Sequence, residues 1–185
     1  MAKGKLFVIS GASGVGKSTV LGKVMASRPD LRFSVSATTR PPREGEVDGQ
    51  SYYFVTRDKF QDMIAKDEFL EYDAHMDNFY GTPKAQLEDK LLRGSVILDI
   101  EPNGAFNVRR EMKDAVLIFI APPSLAELES RLRGRGDTSE EQIQVRQARV
   151  AWEMEQSKCY DHVVINDQVE TCAQKILEII AREAD

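Results

Sequence analysis

Gly11-Ala12-Ser13-Gly14-Val15-Gly16-Lys17-Ser18 sets three glycines ahead of a lysine and a hydroxyl residue, in the order G-x-x-x-x-G-K-S. Glycines at that spacing let backbone N–H groups turn inward around phosphate oxygens, and a helix starting at the lysine aims its positive end at the same point. Lys17 would reach the β- and γ-phosphates, and Ser18 would place its hydroxyl on Mg2+. With Thr19 beside them, these residues are predicted to hold a nucleoside triphosphate. The motif alone does not separate a hydrolase, a switch and a kinase.

A second anion site is predicted where Arg40 and Arg43 flank Pro41-Pro42. A rigid turn would fix the separation of two guanidinium forks, whose planar geometry suits a phosphate. Ser36, Thr38, Thr39, Tyr52, Glu71, Tyr80 and Thr82 lie in the same stretch, so that cations, hydroxyls and one carboxylate are offered to a single small polar ligand. A third cluster, the arginine-rich passage 131–149 around Gly134 and Gly136, reads as a mobile flap. The two histidines, His75 and His162, lie near none of these motifs and read as structural or surface residues.

The elements that must position these groups follow from the apolar pattern. With 185 residues, 42% hydrophobic and 30% charged, the chain has the length and apolar content for one fold with a sizeable core. Lys5–Ile9, Val96–Leu98, Val116–Ile120 and Val163–Ile165 are short, nearly continuous apolar runs, the pattern of parallel strands covered on both faces. Between them lie helical segments. Ser124 with Glu127 and Ser139 with Gln142 have capping-box spacing, and Thr82-Pro83 fits an N-cap with proline at the first helical position. Strands alternating with helices give an α/β fold. Residues 36–84, with a helix expected from Asp58 to Lys66, interrupt the alternation as an insertion of short antiparallel strands joined to the main sheet.

A net charge of -5 and a pI near 5.2 argue against a general nucleic-acid binder. No apolar run reaches the ~18 residues of a bilayer span, and the start reads as a strand rather than a signal peptide, so no membrane partner and a cytoplasmic location are expected. Cys159 and Cys172 are too few for a disulfide framework and are expected to be reduced.

Ser34 to Glu46, with Tyr52 and Tyr80-Gly81-Thr82, resembles the signature of the guanylate kinase family. The resemblance runs on through Ile97–Ile100, Ile120–Ser124, Gly134-Arg135-Gly136 and Val164–Asp167. It implies a P-loop nucleoside monophosphate kinase fold: a mostly parallel sheet flanked by helices, with a small α+β GMP-binding insertion and a helical lid. The implied division is a core of 1–35, 85–130 and 150–185, an insertion of 36–84 and a lid of 131–149. The implied reaction is direct in-line transfer from ATP to GMP, giving ADP and GDP in purine nucleotide metabolism, with Mg2+. Arg40, Arg43, Tyr52 and Tyr80 would hold the phosphate of GMP, while Ser36, Glu71, Thr82 and Asp99 would face its base. Lys17, Arg135 and Arg146 would stabilise the transferring group, with Arg131 as a helper, and Asn166 would meet the adenine.

Asp99 also stands where a P-loop enzyme places a carboxylate for the Mg2+ shell, and the sequence leaves both roles open. After it, Glu101-Pro102-Asn103-Gly104 departs from the family's Asp-x-Gln-Gly, so Glu101 stays outside the catalytic set. A monomer or a homodimer is expected. Two other readings share parts of the pattern: a non-catalytic guanylate-kinase-like binding module, and a related kinase acting on another small phosphate.

Overall fold

The computed structural model describes residues 4–75, 77–124 and 140–184. Along the chain come β1 (Leu6–Gly11), α1 (Lys17–Ser27), β2 (Arg32–Phe33), β3 (Ala37–Thr38), β4 (Tyr53–Phe54), α2 (Arg57–Ala65), β5 (Phe69–His75) and β6 (Asn78–Pro83). There follow α3 (Lys84–Arg93), β7 (Val96–Asp99), α4 (Pro102–Glu111) and β8 (Val116–Ala121). Beyond the segment 125–139 come α5 (Glu140–Gln156), a 3-10 turn (Ser157–Cys159), β9 (His162–Ile165) and α6 (Val169–Ala184).

Five strands form a parallel sheet in the order β2-β7-β1-β8-β9. Every residue of β1 and β8 is buried, as unbroken apolar runs require when helices cover both faces. β1 lies between β7 and β8, pairing Ile9 with Asp99 on one side and with Ile118 on the other, so the end of β1 and the end of β7 emerge together. That is the end at which open α/β sheets bind ligands. β9 departs from the expected pattern. As an edge strand it buries Val164 but leaves Val163 and Ile165 half exposed, so one of its faces is uncovered despite its apolar sequence.

The insertion also differs from expectation. Among the described residues its strands form a sheet of their own, in the order β4-β3-β6-β5, and β3 pairs with β4 in parallel. A second small core of Ala37, Phe60, Met63 and Phe69 supports it, with the Phe60 ring stacked on Phe69 at 4.4 Å and on Phe79 at 5.4 Å. At Gly81 a Cβ would stand 2.9 Å from the Phe69 ring, so β6 can approach that cluster only without a side chain there. α2 begins as its sequence suggests, the Thr56 hydroxyl accepting the Lys59 N–H at 3.2 Å.

Thr82 is not the cap of α3. It ends inside β6, Pro83 takes the cap position, and the Thr82 hydroxyl is spent on Glu71. The capping boxes at Ser124/Glu127 and Ser139/Gln142 each involve a residue outside the described ones.

Candidate active site

The turn from β1 to α1 is shaped by its glycines. Gly14 and Gly16 have φ of 82° and 91°, a region that favours glycine, and a Cβ on Gly11 would stand 2.9 Å from the Ile120 carbonyl. Two side chains from elsewhere clamp the loop. Asn166, buried at the end of β9, donates from Nδ2 to the Val15 carbonyl at 2.7 Å. Glu153, fully buried on α5, accepts the Ser13 N–H at 2.8 Å.

Beyond this loop a cavity of about 320 Å³ opens between the two sheets. Lys17 and Ser18 line it from α1, Asp99 and Glu101 from the end of β7, and Pro102, Asn103 and Gly104 from the start of α4. Ser36, Tyr52, Glu71, Asp73 and Tyr80 line it from the insertion, and Arg149 and Trp152 from α5. Lys17 Nζ is ion-paired with the Asp99 carboxylate. Burial opposes the ammonium charge, but Asp99 and Glu101 outweigh it, and the Lys17 pKa is raised.

Glu71 sits deepest on the insertion side. It is 6% exposed, accepts the Thr82 hydroxyl at 2.5 Å, and packs so closely on α4 that a Cβ at Gly104 would stand 2.7 Å from Oε2. Burial pushes its carboxyl up to about 7, with the Asp73 charge adding to the shift and the Thr82 hydrogen bond opposing it. The site therefore holds a carboxylate that gains strongly from any ligand bringing N–H donors.

Arg40 is part-buried beside this cavity without lining it. Its guanidinium makes a two-point bond with Glu46, at 2.9 and 2.8 Å, and lies 5.4 Å from the centre of the Tyr52 ring. Arg43 is exposed and gives its backbone N–H to Glu46 at 2.7 Å. These two contacts hold the Glu46 carboxyl down at about 2.

Of the residues singled out in the sequence, the fold thus brings Lys17, Ser18, Ser36, Tyr52, Glu71, Tyr80 and Asp99 to one cavity, with Thr82 behind Glu71. Arg40 and Arg43 stand apart from its lining, and Asn166 meets the phosphate loop from behind. Arg131 and Arg135 lie outside the described residues, and Arg146 is described only as part of α5.

The guanylate kinase family model matches residues 3–183. The chain belongs to the guanylate kinase family. It is 49% identical over 182 residues to a guanylate kinase of Thermus thermophilus, covering 98% of this chain and 82% of that one. A guanylate kinase of Clostridioides difficile is 45% identical over 182 residues, covering 98% and 89%. The crystal structure of guanylate kinase from Anaplasma phagocytophilum superimposes with a TM-score of 0.81 at 34% identity, over 99% of this chain and 87% of that one. The fold is accordingly that of a P-loop nucleoside monophosphate kinase, and this guanylate kinase is an ATP:GMP phosphotransferase.

Glu153, Trp152 and Asp73 were not singled out in the sequence, and Arg149 entered only as part of the arginine-rich passage 131–149. The available signal was small: Arg149 and Glu153 are four residues apart on α5, the spacing of a helical ion pair, and Arg149 Nε does donate to Glu153 at 2.9 Å. Asp73 shares the pocket-facing side of β5 with Glu71, as period-two alternation dictates.

Proposed function

We propose that this guanylate kinase binds ATP on the phosphate loop and GMP against the insertion, and moves the γ-phosphoryl group directly between them. The observation that carries this division is one cavity lined on one side by Lys17 and Ser18 and on the other by Ser36, Tyr52, Glu71 and Tyr80. An oxygen of the GMP phosphate attacks the γ-phosphorus, and the bond to the β,γ-bridging oxygen breaks as ADP leaves. No general base is needed, because a phosphomonoester with a second pKa near ~6 is already a dianion at neutral pH.

What remains for the protein is charge neutralisation and exclusion of water. Lys17 exchanges the Asp99 carboxylate for phosphate oxygens. Arg135 and Arg146 stabilise the charge of the transferring group, a contribution of roughly 10³ to 10⁵ in rate for arginines of this kind. Arg40, Arg43, Tyr52 and Tyr80 take the GMP phosphate. Glu71 accepts from the guanine N1–H and 2-amino group, with Ser36 and Thr82 beside it, and adenine, presenting an acceptor at N1, would leave that buried carboxylate unpaired. The pairing of Asp99 with Lys17 favours a place at the phosphates over one at the guanine edge. Asn166, which donates to the Val15 carbonyl of the loop, stands on the adenine side of ATP.

Mg2+ suits the donor set: a Ser18 hydroxyl and the carboxylates of Asp99 and Glu101 supply hard oxygens in the same cavity. When bound, the ion neutralises charge on the β- and γ-phosphates.

ADP release measured with GMP, AMP, UMP and CMP as acceptors tests the reading. Turnover with GMP far above the others is expected, and equal or absent turnover with GMP refutes it.

A further inference from the structure

α5, which follows the segment carrying Arg135 in the chain, reaches the phosphate loop through a fully buried carboxylate. The two oxygens of Glu153 are divided between partners: Oε2 accepts the Ser13 N–H at 2.8 Å and Oε1 accepts Arg149 Nε at 2.9 Å. Arg149 continues the chain of contacts, Nη2 bonding Glu101 at 3.1 Å immediately before α4. The same helix α4 carries Gly104 against Glu71. Three elements that a two-substrate reaction must keep in register, the phosphate loop, α5 and the start of α4, therefore meet on two side chains.

A buried carboxylate with only one of these partners would be costly to keep, since removal of a cation leaves an uncompensated charge in a medium that cannot solvate it. With both, it is a firm anchor. Asn166 fixes the second half of the loop through the Val15 carbonyl, and Glu153 fixes the first half through the Ser13 N–H. Between those two points lies Gly14, whose φ of 82° favours glycine.

We propose that Glu153 is a positioning residue for the ATP phosphate loop, held in its working orientation by Arg149, so that the grip on ATP is set from α5 as well as by the loop itself. The proposal rests on the assignment of ATP to this loop. Its test can be read without turnover, because Trp152, the single tryptophan of the chain, lines the cavity next to Glu153 and offers a fluorescence probe for an ATP titration, with isothermal calorimetry as the second readout.

Equilibrium ATP titrations and separate KM values for ATP and GMP are compared in Glu153→Ala, Glu153→Gln, Arg149→Gln and the double variant Arg149→Gln/Glu153→Gln. Loss of the acceptor in Glu153→Ala is expected to weaken ATP binding about 10- to 100-fold, whereas Glu153→Gln, whose amide oxygen still accepts from Ser13, weakens it less than about threefold. Arg149→Gln strands the buried charge and is expected to weaken ATP binding about tenfold, and adding Glu153→Gln restores most of that loss. KM for GMP moves less than KM for ATP throughout. A double variant no better than Arg149→Gln, equal effects on both substrates, or tight ATP binding by a folded Glu153→Ala protein would each overturn the proposal. If Arg149→Gln does not fold, the Ala and Gln variants at 153 decide it alone. Absence of ATP binding in the parent protein would instead overturn the assignment of the loop.

Discussion

Glutamine at position 71 separates what the Glu71 charge does for binding from what it does to stability. The folded protein holds this carboxyl near pKa 7 against an ordinary value of 4.5. Between those two pH values the folded state keeps a proton that the unfolded chain has released, so stability falls as pH rises through that window. At about 1.4 kcal/mol for each pH unit, the loss amounts to about 3 kcal/mol and is complete above pH 7. Glutamine cannot ionise and can still accept the Thr82 hydroxyl. Glu71→Gln should therefore match the parent protein near pH 4.5 and exceed it by about 3 kcal/mol at pH 8, several degrees in melting temperature for a chain of this size. Urea unfolding of both proteins at pH 5, 6, 7 and 8 measures the difference. If the two stability curves run parallel across that range, the burial argument for Glu71 is wrong. In the same variant KM for GMP should rise about 10²-fold, because the guanine donors lose their charged acceptor.

Replacing Lys17 with methionine should lower kcat by about 10² to 10³ while melting temperature changes little, since its ion pair with Asp99 is partly exposed; a variant within threefold of the parent rate would exclude the lysine from the transfer step. Gly104→Ala forces a Cβ to within 2.7 Å of the Glu71 carboxylate and should raise KM for GMP about tenfold with KM for ATP unchanged, whereas equal shifts in both would mean a general disturbance of α4. Phe60→Ala empties the centre of the insertion's small core at a cost of about 3 to 5 kcal/mol. Hydrogen exchange should then accelerate in β3 to β6 ahead of β1 and β8, and simultaneous acceleration in both sheets would show that the two cores do not unfold separately.

The phosphate loop was legible because its chemistry is local: glycine, lysine and serine at fixed spacing act through backbone geometry that no distant residue needs to supply. The strands β1, β7 and β8 were legible for a related reason, since continuous burial leaves a continuous apolar run. β2 was not, because two residues, one an exposed arginine, form a strand only by pairing with β7. β9 shows the opposite error, an apolar sequence on an edge that covers only one face. In the site, Glu71 and Thr82 were singled out among the polar residues of the insertion and assigned to the base by the family resemblance, but their mutual hydrogen bond was not expected, and Thr82-Pro83 was read as a helix start because local pattern says nothing of a partner eleven residues earlier. Glu153 was hidden among ordinary helical charges. Its burial depends on the loop it touches, 140 residues away in sequence.

The Arg40–Glu46 pair bears on the seat proposed for the acceptor phosphate. Its guanidinium fork already faces a carboxylate, so a newcomer must displace an intramolecular rival instead of loosely held water. A weak or singly charged anion would compete poorly for that seat, whereas a dianionic phosphomonoester whose base is held at Glu71, as proposed, would bring both the charge and the foothold to win it. On the proposed assignment of Arg40 to the acceptor phosphate, Glu46 would keep that seat filled between turnovers, trading some raw affinity for discrimination against small anions.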